Sequence, residues 1–136
     1  MTTTPDLVRA VRDHLAERLE GVRVVTRLPD GPRLEDQLES GPVVLLTRGV
    51  GGGYRKGERR VMFDVDVLSS SEEDLWEATD RAWQAMDAMT AQFIGGVLVD
   101  EMRVHNSPGQ VGPGQVGHEN PAVKRAFATY RMTTRS

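Results

Sequence analysis

Arg60-Val-Met-Phe-Asp-Val-Asp-Val-Leu-Ser69 runs through Ser70 into Ser71-Glu-Glu-Asp-Leu-Trp-Glu-Ala78, and the reading of this junction decides the fold. Val61, Phe63, Val65 and Val67 fall on one side of a two-residue period, and Asp64 and Asp66 fall on the other. That alternation predicts a strand over 59–68 with one face in a core. Ser69, Ser70 and Ser71 end the strand and offer N-caps, while Glu72, Glu73 and Asp74 suit the electropositive first turn of a helix. Leu75, Ala78, Ala82, Met86 and Met89 then recur at three- and four-residue spacing, so the helix extends to about Met89.

Toward the N-terminus, a first helix is signalled by Thr4 as N-cap, Pro5 at the first helical position and Asp6 in the first turn. Leu7, Val8, Val11, Leu15 and Leu19 make its apolar stripe, and Gly21 follows its last turn. A short strand is expected over 22–27, with Val22, Val24 and Thr26 on one face. Residues 28–42 hold three prolines and two glycines and read mostly as loop, with a single helical turn at 33–38. The run Val43 to Arg48 is nearly all apolar, which predicts a strand buried on both faces.

Toward the C-terminus, Gly95-Gly96 breaks the chain before a strand over 97–105. A final strand over 123–133 places Ala126, Ala128, Tyr130 and Met132 on one face. The order is α-β-β-β-α-β-β. It predicts an α+β domain over residues 1–136, a mostly antiparallel sheet with two helices packed on one face, and excludes a doubly wound sheet. Long loops are expected at 28–42, 49–58 and 106–121, and connections of such length in a small domain tend to be functional. The last contains a tandem repeat, Pro108-Gly-Gln-Val-Gly then Pro113-Gly-Gln-Val-Gly. It reads either as a hairpin tip or as an arm that orders against a neighbouring subunit.

Composition bounds the function. A chain of 136 residues suits one domain, and 38% hydrophobic with 27% charged residues is ordinary for a soluble globular protein. No apolar run nears 18 residues and the first residues lack a signal-peptide build, so an internal, non-membrane protein is expected. Zero cysteines exclude disulfides, thiolate metal sites and cysteine nucleophiles. A net charge of −3 argues against a general nucleic-acid binder. Of 17 basic residues all but Lys56 and Lys124 are arginine, which fits a GC-rich genome and also suits bidentate contacts at interfaces.

The chain carries no catalytic pattern. In Gly49-Val-Gly-Gly-Gly-Tyr-Arg-Lys56 an arginine precedes the lysine, a glycine follows it and the next element is a strand, so the phosphate-loop pattern fails. Asp64 with Asp66, and Asp100 with Glu101, are paired carboxylates of a kind that can hold a cation or exchange protons. Set against that is a surface role, paired with Arg103, Arg125 or Arg131 on neighbouring strands. His14, His105 and His118 lack zinc-ligand spacing. No catalytic residue, metal ligand or cofactor is expected.

Charge is segregated along the chain. Arg48, Arg55, Lys56, Arg59 and Arg60 surround Glu58 alone, and Lys124, Arg125, Arg131 and Arg135 close the chain without an acid. The helix after Ser71 carries Glu72, Glu73, Asp74, Glu77, Asp80 and Asp87 against Arg81. Such a pattern suits either a dipolar monomer or a surface that meets its own copy, basic edge to acidic edge. Trp76 and Trp83 lie on one side of that helix, as core packing or as an interface anchor.

The whole layout, and the strand–helix junction 60–78 in particular, resembles the tail terminator (tail completion) proteins of long-tailed bacteriophages. The resemblance implies a structural virion protein that assembles as a homohexameric ring in the host cytoplasm. Such a ring caps the tail tube at its head-proximal end and stops its polymerisation. Its implied partners are the major tail tube protein and the head–tail connector or stopper protein, with DNA passing through the ring without specific binding and no membrane involved. Candidate subunit or tube contacts are Arg48, Tyr54, Arg55, Lys56, Arg59, Arg60, Gln110, Val111, Gln115 and Val116. Asp64 and Asp66 are candidates for an acidic lumen along which phosphates slide. The alternatives are another neck component, a connector or stopper, and a small ferredoxin-like ligand-binding module.

Overall fold

Thr3, one residue before the expected cap, starts the first helix. Its hydroxyl accepts from the Asp6 amide at 3.2 Å and the Asp6 carboxylate accepts from the Thr3 amide at 3.3 Å. This reciprocal capping box leaves Thr4 and Pro5 inside the first turn of α1 (Thr4–Arg18). The computed structural model describes residues 3–111 and 123–135, with side chains described for 3–105 and 123–135. In chain order there follow β1 (Arg23–Val25), α2 (Gly31–Ser40), β2 (Val43–Arg48), β3 (Gly53–Arg55) and β4 (Glu58–Ser69). Then come α3 (Glu72–Asp87), β5 (Phe93–Ile94), β6 (Val97–Val111) and β7 (Lys124–Arg135).

The strands form one sheet in the order β1-β2-β4-β7-β6-β5, with β3 added to β4 as a hairpin arm. All pairs are antiparallel except β1 with β2. The α+β class and the mostly antiparallel sheet are as expected. The alternation in β4 puts Val61, Phe63, Val65 and Val67 into one core with Ala126, Ala128, Tyr130 and Met132 of β7. The stripes of α1 (Leu7, Val11, Leu15) and α3 (Leu75, Ala78, Ala82, Met86) cover that face. Ser71 caps α3, its hydroxyl accepting from the Asp74 amide at 3.4 Å.

Three expectations are corrected. Residues 28–42 are not mostly loop: α2 takes ten of them, its proline at the start where a missing N–H is harmless. Leu34 and Leu38 of α2 cover the opposite sheet face, packing on Val43, Leu45, Leu68 and Val123. Val43 and Leu45 therefore face α2 while Val44 and Leu46 face the main core, which is why β2 reads as a continuous apolar run. The span 49–58 is not a plain loop, because β3 pairs with the start of β4. The span 106–121 is not all loop either, since β6 continues to Val111, paired through Gly109↔Phe127 to Val111↔Arg125. Gly41 shows how closely the layers meet: its φ is +146, and a Cβ there would lie 2.9 Å from the Gly21 carbonyl oxygen.

Candidate assembly surfaces

The β3–β4 hairpin carries five of the expected contact residues. Tyr54 pairs with Arg59 and Arg55 with Glu58 across a two-residue turn, Lys56-Gly57, whose φ values of +50 and +81 match the twist of a tight hairpin. Tyr54 is 63% exposed, and the Arg59 guanidinium lies 5.6 Å from its ring centroid. Arg59 also donates to the Thr4 hydroxyl, tying the hairpin to the start of α1. Arg60 reaches Glu58 at 3.6 Å. Arg48 is exposed at the end of β2. Arg48, Tyr54, Arg55, Lys56, Arg59 and Arg60 thus share one end of the molecule.

The hairpin depends on a close approach at Gly52. With φ +91, a Cβ at this position would stand 2.5 Å from the Arg60 carbonyl oxygen. Gly52→Ala is expected to lower stability by about 1–3 kcal/mol. Thermal unfolding checks the loss, and amide exchange at Arg59 and Arg60 checks that the damage is local.

Gln110 and Val111 lie elsewhere. Their backbones pair with Ala126 and Arg125 at the start of β7, beside the end of β4 where Ser69 pairs with Lys124. Gln115 and Val116 fall outside the described residues. The ten steps of β4 from Arg59 to Ser69 span about 33 Å at roughly 3.3 Å each. The described candidates therefore form two sets at opposite ends of the sheet, not one patch.

Asp64 and Asp66 do face away from the main core, but they differ. Asp64 is half-buried and accepts from the Thr129 hydroxyl at 2.9 Å. Asp66 is only 4% exposed and its carboxylate is engaged by Nε and Nη2 of Arg125, itself buried. Burial pushes the Asp66 carboxyl above the usual aspartate range, against the pull of the Arg125 charge and hydrogen bond. Asp66 is a structural ion-pair partner in the protomer, and Asp64 keeps the greater access to solvent.

Sequence reasoning missed a groove. About 460 Å³ in volume, it opens between the first turns of α1 and the end of β2, lined by Val8, Arg9, Arg12, Leu46, Thr47 and Arg48 among others. The signal lay in Arg9 and Arg12, three apart and off the apolar stripe, and in Arg48 ending β2. Of the two tryptophans, Trp83 stacks at a tilt on Tyr130, centroids 5.9 Å apart, while Trp76 stays 39% exposed. Among the described residues no cluster of three or more His, Asp or Glu side chains is placed to hold a metal ion. Among them also, no helix is long and apolar enough to cross a membrane.

No model of a protein family matches this chain, and no curated protein does. Solved structures do. A chain from the virion of a native gene transfer agent (GTA) particle superposes with a TM-score of 0.66 at 16% identity, over 96% of this chain and 95% of that one. The two chains share a fold. A second solved chain aligns over 98% of this chain and 97% of its own at 14% identity, with a TM-score of 0.48. The GTA match covers nearly all of each chain.

Proposed function

We propose that this chain is a structural virion protein and, within that class, a ring-forming tail terminator. On this reading six copies close into a ring at the head-proximal end of a tail. The ring caps the tube, stops its polymerisation and offers a joining surface to the head connector or stopper. The observation that carries the reading is the near full-length fold likeness to a chain of a GTA virion. The protomer's build is in keeping with it. The basic hairpin and the acidic outer face of α3 are two different surfaces of one protomer, as a heterologous contact that closes on itself uses. The site residues do their work by contact and not by catalysis, with DNA passing the ring unbound. The same likeness supports a second reading, another neck component such as a connector or stopper, because it is a likeness to a virion chain and carries no position along the tail.

Native mass spectrometry of the protein, alone and with tail tube protein, tests the ring. A sixfold mass in either sample is the expected result. A species that remains monomeric or dimeric in both overturns the self-closing ring.

A further inference from the structure

Building on the ring reading above, we propose that the arginine-lined groove at the start of α1 receives the acidic outer face of α3 from a second copy of this chain. Pro5 and Val8 contribute accessible apolar lining to the groove, above the buried Leu46, and Arg9, Arg12 and Arg48 border it. Arg9 and Arg48 are exposed, and Arg12 is half-buried with Asp13 at 2.7 Å. Arg55 and Lys56 extend the positive charge along the hairpin at the same end.

The matching surface is the first half of α3. Glu73, Trp76, Glu77 and Asp80 follow one another at i, i+3, i+4 and i+7, so they form a single stripe, and all four are exposed. Glu72 and Asp74 flank it, also exposed. Two basic residues stand nearby: Arg81, whose guanidinium donates to the Glu20 carbonyl at 2.9 Å, and Lys124 beside Ser69. An exposed indole within a field of carboxylates fits an apolar-lined groove bordered by guanidiniums in both respects: ring to apolar lining, carboxylate to arginine. The β2 residues of the groove pair with Phe63 to Val65 at the middle of β4, and the stripe lies on the helix that follows the end of β4, so the two are different surfaces and docking one into the other is head-to-tail, the geometry that generates rings. A basic groove also suits a phosphate backbone. The apolar lining, the paired stripe on the same chain and the net charge of −3 favour the protein partner.

Two charge-reversed proteins test the contact: Arg9→Glu with Arg48→Glu, and Glu73→Arg with Glu77→Arg. The readouts are sedimentation velocity and native mass spectrometry, with tail tube protein added where assembly of the wild type requires it. Each reversed protein alone is expected to associate about a hundredfold more weakly, because like charges then face each other. An equimolar mixture is expected to recover, since alternating copies restore opposite charges at every contact. Trp76→Ser, which leaves the charges alone, is expected to weaken association about tenfold or more. Urea midpoints and circular dichroism confirm that each variant folds. Wild-type assembly by both reversed proteins overturns the docking contact and leaves the ring standing. Recovery on mixing that stops at a dimer leaves the contact standing and overturns the ring. A groove variant that assembles normally but loses retention on immobilised double-stranded DNA makes the groove a nucleic-acid surface and overturns the proposal. A wild type that never self-associates overturns contact and ring together.

Discussion

Arg125→Met is expected to cost about 3–5 kcal/mol of unfolding free energy at pH 7, the range for removing one partner of a buried ion pair. Asp66 then keeps a buried carboxylate without the Nε and Nη2 donors that now engage it. The loss depends on pH in a defined direction. Burial already raises the folded-state pKa of Asp66, and removing the nearby cation raises it further. Between the unfolded aspartate value and that raised value the folded state binds more protons, so stability falls as pH rises through the window. Part of the loss is therefore recovered as pH is lowered, until protonation of other carboxylates dominates. Asp66→Asn behaves differently. It leaves the Arg125 guanidinium, which cannot give up its proton, and so shows a loss without that recovery. Its guanidinium still lies 5.1 Å from the Phe127 ring centroid, which softens the loss. The double change Asp66→Leu with Arg125→Met removes both charges and is expected to be neutral, or stabilising by up to about 4 kcal/mol. Urea unfolding at a series of pH values checks all three. Equal losses for the single and double variants at every pH would show that the pair is not the source.

Phe63→Ala is expected to destabilise by a similar amount, about 3–5 kcal/mol, through lost apolar burial and the cavity left behind. Two Trp, two Tyr and three Phe are all the aromatics the chain has. Tyr54, Trp76 and Phe93 are exposed and Trp83 and Phe127 are half-buried, leaving Phe63 and Tyr130 as the largest fully buried side chains of a mostly aliphatic core. They sit directly opposite each other on β4 and β7, beneath the two helices of that face. Tyr130 is so enclosed that burial, helped by the charge of Asp87, raises its phenol pKa above the usual tyrosine value. Truncating Phe63 opens a void in the middle layer, where backbone hydrogen bonds to two neighbouring strands restrain collapse. A loss of this size is a large share of a typical domain's roughly 5–15 kcal/mol. Chemical denaturation gives the loss, and a change below about 1 kcal/mol would place Phe63 at a site that relaxes freely.

Much of this architecture was legible residue by residue. The alternation through Val61, Phe63, Val65 and Val67, the serine caps and the stripe from Leu75 to Met86 are local patterns, and local patterns follow the helical and strand periods directly. The buried-on-both-faces reading of β2 was also correct, and it implied a covering element on the second face. That element, α2, was lost in a proline- and glycine-bearing span. Its ten residues offer only Leu34 and Leu38 as buried positions, and its Asp30 cap makes no side-chain hydrogen bond.

The amino-acid sequence by itself determined the α+β class, the main core and the separation of charge along the chain. Only the tertiary structure decided which charges are surface and which are interior. Asp64 and Asp66 look alike two residues apart on one face, but the register of β4 with β7 brings Arg125 onto Asp66 alone and closes it from solvent. Register likewise set Gln110 and Val111 at the far end of the sheet from the basic hairpin. It also brought Arg48 beside Arg9 and Arg12 to border a groove that no contiguous stretch of sequence contains. Period and capping act within a few residues. Burial of a charge and the shape of a surface depend on strands far apart in the chain, whose pairing is settled by the packing of the whole sheet.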